Sequence, residues 1–256
     1  SEVTRSPEFQ AFFKDSKIVD NNGEPLVVYH GTIVDFEEFE TFPLNELGAH
    51  FGSAASANDR VRFVAGEAKK SGDLPRSKVS ERIMPVYLNL KNPLRMKDVG
   101  DFSDPHMVID ALRGTDWASN ESAPTTPALT FEQTDRLEAL LDPEKEYFDP
   151  TEKSEVLDNI RTELEKMGFD GIVYVNENEG FDSLLAEEPN AAEMGLSPGD
   201  SYIAFRPEQI KSIFNERPTD SPNILNQVAK DISGKKDGLY SEVRKVLEEM
   251  QLPVWK

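Results

Sequence analysis

Cysteine is absent from this 256-residue chain. That removes disulfides, thiolate catalysis and thiolate zinc sites together, and it fits a reducing compartment. Histidine is scarce too: His30, His50 and His106 stand far apart with no His-x-x-x-His spacing, which argues against a metal site. Positive charge is outnumbered. Lys and Arg total 28 against 48 Asp and Glu, a formal net charge of −20. Such a surface repels phosphate backbones at long range and disfavours a nucleic-acid partner. No apolar run approaches the roughly 20 residues that a membrane helix needs. No basic-then-apolar leader is visible, and the first residues read as the cut edge of a longer protein. What remains is 38% hydrophobic and 30% charged. That supports a packed core with long surface loops, in one large domain or two small ones.

The chain is organised around residues 25–51. Leu26-Val27-Val28-Tyr29 is a short apolar run rich in β-branched and aromatic residues, and it ends in His30-Gly31-Thr32. That pattern predicts a buried strand delivering a polar triplet to a sheet edge or cleft. On its residues alone, His30 reads either as a strand-end histidine satisfying a backbone carbonyl or as a ligand of that cleft. Before it, Ser6-Pro7-Glu8 is a helix start, with Phe9, Phe12 and Phe13 on one face. Asn22-Gly23 suits a hairpin turn. After it, residues 48–53 read as a short strand or turn, and a helix begins near Ser56 with Ser53 or Ser56 as its cap.

Further strands are expected over residues 84–90, 169–175 and 201–205, with an edge strand at 209–213 exposing Lys211. Gly171 reads as a turn residue. Residues 98–155, poor in β pattern, read as an insertion with helices near 105–112 and 131–141, and His106 is expected to face solvent there. Residues 155–167 form an amphipathic helix with Val156, Ile160 and Leu164 inward, ended by Gly168. Residues 177–199 are an acidic loop, and the tail from 222 is helical. Strands separated mostly by loops predict an α+β sandwich with flanking helices, not a doubly wound sheet.

Several phrases together resemble a known family. They are residues 9–20 (FQAFFKDSKIVD), residues 23–32 (GEPLVVYHGT), residues 86–94 (VYLNLKNPL), Gly168-Phe169-Asp170-Gly171-Ile172, and residues 202–212 (YIAFRPEQIKS). In this order they resemble the ADP-ribosyltransferase-like domains of phage and mobile-element polyvalent proteins. The broader class includes diphtheria toxin and the poly(ADP-ribose) polymerases. The resemblance implies a split β-sandwich domain over residues 1–215, the insertion included, followed by a helical C-terminal extension over 216–256.

It also implies a site for NAD+. His30 would hydrogen-bond the adenosine ribose, the backbone of Gly31 would hold the nicotinamide carboxamide, and Thr32 would lie beside it. Phe51 would lie against the nicotinamide ring, and Ser56 is the nearest equivalent of a carboxamide-binding serine. Arg60 and Arg62 are candidate partners for the pyrophosphate. The chain departs from the family's His-Tyr-Glu pattern in three places. His50 stands where a tyrosine stacks, Asp59 stands near the second aromatic, and Asp200-Ser201 occupy the place of the catalytic glutamate. Alternation along a strand would send Asp200 and Ser201 to opposite faces, and an acid from the 177–193 loop is the other candidate.

The implied activity is mono-ADP-ribosyl transfer from NAD+ to a host macromolecule, a protein rather than nucleic acid given the charge. Without the glutamate, polymer synthesis is not expected. The alternatives are an NAD+ glycohydrolase using the same residues and an inactive binding module of the same fold. The implied compartment is the cytoplasm of a bacterial host, reached as part of a larger phage-encoded chain.

Overall fold

The structure is a computed structural model; it describes residues 3–34, 36–40, 46–71, 81–114, 127–145, 147–177 and 199–225. The expected C-terminal helix and most of the acidic loop after Glu177 lie outside the described residues.

Two sheets form the centre. The first has three antiparallel strands: β1 (Val28–Thr32) and β7 (Ile210–Ser212) flank β3 (Arg82–Leu88). The second has four strands in the order β2 (Ala49–Phe51), β6 (Asp200–Ala204), β5 (Gly171–Val175), β4 (Leu94–Met96). Only the β4–β5 pair is parallel. Helix α2 (Ala54–Ser71) covers the outer face of the first sheet, and helices α3 (Pro105–Arg113), α4 (Phe131–Glu138) and α5 (Pro150–Lys166) cover that of the second. The architecture is therefore the α+β sandwich with flanking helices that the strand pattern predicts.

Alternation along the strands assigns each side chain to a layer. Val28, Val86 and Leu88 face Phe51, Val173, Tyr202 and Ala204 between the sheets. Ile172, Tyr174, Ile203 and Met96 face the helices and pack on Val108, Ile109, Leu112, Leu157, Ile160 and Leu164. Tyr29 and Ile83 meet Ala57 and Val61 of α2. Residues 98–155, read from sequence as an insertion, thus supply much of the largest apolar core.

Local signals explain the helix boundaries. Ser6 accepts the Phe9 amide at 3.1 Å to open α1 (Pro7–Phe13). The Ser53 hydroxyl accepts the Ser56 amide at 3.1 Å, so Ser53 is the cap of α2. Asp149 and Glu152 form a capping box around Pro150, which starts α5 earlier than expected. Its buried face carries Leu157, Ile160 and Leu164, with Val156 only half-buried. Gly168 at φ 95° follows its end.

Some expectations need correction. Gly171 is a strand residue opposite Ala204, not a turn. Lys211 is fully buried, its ammonium donating to the carbonyls of Glu208 and Ser221, each at 2.8 Å. The edge position exposes backbone on one side only, while α1 and the 213–225 segment close over the side chain; Phe12 lies 5.4 Å from its Nζ. His106 is half-buried, its ring stacked on Phe148 with centroids 5.4 Å apart. Strand β4 was not foreseen: three residues after Asn92-Pro93 carry too little pattern, and only the partner strand β5 makes them extended. Residues 216–225 stay on the body of the domain, where Ile224 donates its amide to the Glu37 carbonyl and accepts the amide of Ser212.

Candidate active site

Among the described residues a backbone bridge joins the two sheets. Tyr29 of β1 and Gly52, just after β2, exchange backbone hydrogen bonds of 2.9 and 3.0 Å. A cavity of about 740 Å³ opens beside this bridge, lined from both sheets, from the start of α2 and from residues 98–103. The size suits a ligand of drug-like or larger dimensions.

His30 is the residue next to the bridge. Tyr29 and Gly31 point to α2, so His30 points into the cleft. Gly31 is required by the approach of α2: a Cβ there would lie 2.2 Å from the Ala57 carbonyl oxygen and 2.7 Å from a Val61 methyl. The imidazole is wedged among Phe36, Phe39 and Phe51, at centroid distances of 6.1, 4.9 and 5.5 Å. Its Nδ1 lies 2.7 Å from the carbonyl oxygen of His50. A carbonyl only accepts, so Nδ1 carries the proton. Burial lowers the His30 pKa to about 4, against the raising effect of that hydrogen bond. The ring is neutral near pH 7, and Nε2 presents a lone pair. His30 satisfies a backbone carbonyl, as one reading of the sequence has it, and also lines the cavity.

The opposite wall is polar and small. Ser201 of β6 is buried and accepts a hydrogen bond of 3.1 Å from the Asn176 amide. Ser56, buried at the start of α2, donates to the Ser53 carbonyl at 2.9 Å. The Ser56 and Ser201 hydroxyls converge on Gly52, where a Cβ would lie 2.4 and 2.7 Å from them. Asp200, by contrast, is outside the cavity. It lies on the other face of β6 and makes a two-pronged ion pair with Arg95, at 3.0 and 2.7 Å. Of the two residues proposed for the acid position, only the serine lines the cavity: it shares the helix-facing side of β6 with Ile203, whereas Asp200 shares the side of Tyr202.

His50 lies on the helix-facing side of β2, with Phe102 at 5.2 Å and Tyr174 at 6.4 Å between centroids. Burial lowers its pKa, opposed by Glu46, whose carboxylate is 3.5 Å from Nε2. The same carboxylate accepts from Arg60 at 3.2 Å. Arg60 therefore reaches the cavity wall already partnered by an acid. Thr32 also lines the cavity, with its hydroxyl engaged by the amide and carbonyl of Val34.

The structure brings His30, Gly31, Thr32, Phe51, Ser56, Arg60 and Ser201 to one cavity and leaves Asp200 out. Sequence reasoning missed Asn176, Tyr174, Phe102 and Asp98 on the same wall. A signal existed for Asn176: it follows an apolar strand two residues after Tyr174, on the same face. None of the described residues forms a cluster of three or more His, Asp or Glu that could hold a metal ion. No described helix is long and apolar enough to cross a membrane.

Residues 20–220 match a family model for the ADP-ribosyltransferase in polyvalent proteins. Comparisons with curated proteins and with solved structures give no match. The matched span holds both sheets and every cavity residue named above, and on that span the chain belongs to the family of ADP-ribosyltransferases found in polyvalent proteins.

Proposed function

We propose that this chain is a mono-ADP-ribosyltransferase that cleaves NAD+ and passes ADP-ribose to a nucleophilic side chain of a host protein. The family is one of transferases. The observation that carries the reading is the convergence of His30 from one sheet and Ser201 from the other on a single cavity, with Phe51 and Phe39 packed beside His30.

NAD+ brings a glycosidic bond whose cleavage releases neutral nicotinamide and leaves positive charge on the ribose. The residues present fit such a substrate. The Nε2 lone pair of neutral His30 accepts a hydrogen bond from a ribose hydroxyl. Gly31 brings bare backbone to the wall, where an amide can be held without side-chain entropy. Gly52 lets the Ser56 and Ser201 hydroxyls come together at the cavity wall, where they offer polar partners to a carboxamide. The phenyl face of Phe51 orients a flat ring. Arg60 offers a cation to the pyrophosphate, moderated by Glu46. A net charge of −20 favours a protein acceptor over nucleic acid. With water as acceptor the same residues make a glycohydrolase.

One observation favours a second reading. Ser201 stands where the catalytic glutamate is expected, and losing such a group typically costs about 10²–10³ in rate. A chain that binds NAD+ without turning it over would then be a binding module.

The test is release of nicotinamide from NAD+, alone and with bacterial lysate, by the parent chain and by His30→Ala. Release that disappears in the variant supports the transferase. Thermal stabilisation by NAD+ with no nicotinamide in either condition supports the module. Neither binding nor release removes both readings.

A further inference from the structure

We infer that Asp98 supplies the carboxylate of this site, from a strand end two strands away from Ser201; the inference rests on the NAD+-cleaving reading above. Three strand ends share one edge of the second sheet: the start of β6 and the ends of β5 and β4. Register places Met96 beside Tyr174 and Tyr174 beside Ser201, all on the cavity and helix side. Two residues on, just past the strand ends, stand Asp98 and Asn176. All three of Asp98, Asn176 and Ser201 line the cavity.

Hydrogen bonds hold the row together. Asn176 donates to Ser201 at 3.1 Å, and the amide of the next residue, Glu177, donates to Asp98 Oδ2 at 2.9 Å. The other carboxylate oxygen accepts the Gly100 amide at 2.9 Å. The carboxylate is thus fixed at the cavity wall by two backbone donors, so its position needs no reorganisation during reaction. Asp98 also bears electrostatically on His50, which puts it at the His50–Tyr174 end of the cavity. Asp200, nearer in sequence to the expected acid, faces the other way, toward Arg95. The sheet offers its carboxylate from β4 instead of β6.

In the step this serves, the bond between the ribose anomeric carbon and the nicotinamide nitrogen breaks. Its electron pair leaves with nicotinamide, which departs neutral. The ribosyl cation is captured by water or by an acceptor nucleophile, which loses its proton to solvent. Asp98 forms no bond. Its negative charge stabilises the cation, and it takes no proton.

The experiment compares the full chain with Asp98→Asn, Asp98→Ser and Asp200→Asn, measuring kcat and KM for nicotinamide release and the thermal shift with NAD+. Asn and Ser both keep an oxygen for the turn at Gly100 while removing the charge, so the second answers if the first does not fold. The expected result is a fall in kcat of about 10²-fold in either Asp98 variant, with KM and the NAD+-induced shift nearly unchanged. A folded Asp98 variant with parental kcat overturns the inference while leaving the NAD+ reading intact. So does loss of kcat in Asp200→Asn alone. A parent chain that releases no nicotinamide overturns the NAD+-cleaving reading and the role of Asp98 with it.

Discussion

The imidazole of His30 donates its Nδ1 proton to the backbone carbonyl of His50 across 2.7 Å, joining the cleft-facing side of β1 to the middle of β2. This bond fixes the tautomer of His30 and aims its lone pair. It also ties the two sheets on the cavity side of the Tyr29–Gly52 bridge.

That arrangement has a pH signature. The folded pKa of His30, about 4, lies below its ordinary 6.5. Between these values the unfolded chain binds the extra proton, so the contribution of neutral His30 is full above pH 6.5 and is lost as pH falls toward 4. The loss amounts to about 3 kcal/mol at most. Urea unfolding of the parent and of His30→Gln from pH 7.5 to 4 should show a shallower slope in the variant, which keeps Glu46, His50 and Arg60 around the site. Parallel curves would refute the shift.

Gly31→Ala should destabilise the fold by about 1–3 kcal/mol, because the added methyl meets backbone and cannot be accommodated by a rotamer change. The helix α2 must back away from β1, and Ser56 moves with it. Denaturant midpoints measure the first effect, and the NAD+-induced thermal shift measures the second. An alanine variant as stable as the parent would mean that α2 does not sit this close.

Lys211 gives the opposite end of the pH scale. Burial lowers its pKa from 10.5 to about 8, with Glu208 and Asp220 opposing the shift. Between pH 8 and 10.5 the unfolded chain holds the extra proton, so stability should rise with pH across that window, by about 3 kcal/mol at most. Lys211→Met should lose this rise. It should also cost about 1–3 kcal/mol for each carbonyl left without a donor, at Glu208 and Ser221. Hydrogen exchange over residues 213–225 should quicken in the variant; unchanged exchange would show that Lys211 does not hold this segment.

The Arg95–Asp200 pair should contribute little despite its two-pronged geometry. The side chains are 58% and 34% exposed. Water and salt screen such a pair, and a double-mutant cycle with Arg95→Ala and Asp200→Asn should return less than about 1 kcal/mol. A larger coupling would give Asp200 a structural weight that its exposure does not suggest.

Much was legible before any coordinates. The apolar run ending in His30-Gly31-Thr32, the runs at 171–175 and 201–204, and the capping residues Ser6 and Ser53 carry their own local signals. Strand and helix follow from them without knowledge of neighbours. Strand β4 was invisible, since Leu94–Met96 is extended only because β5 lies beside it. The same holds for the burial of Lys211 and for the helical layer built from residues 98–155.

The sequence by itself determined the strand that carries His30, the alternation that separates Asp200 from Ser201, and the net charge of −20. These follow from periodicity and composition, which are local. Tertiary structure alone decided which side chains share a wall: His30 with the His50 carbonyl, Ser56 with Ser201 across Gly52, and Asp98 in line with Asn176 and Ser201. Those neighbours meet through strand order and sheet register, which depend on long-range pairing that no short stretch of chain encodes.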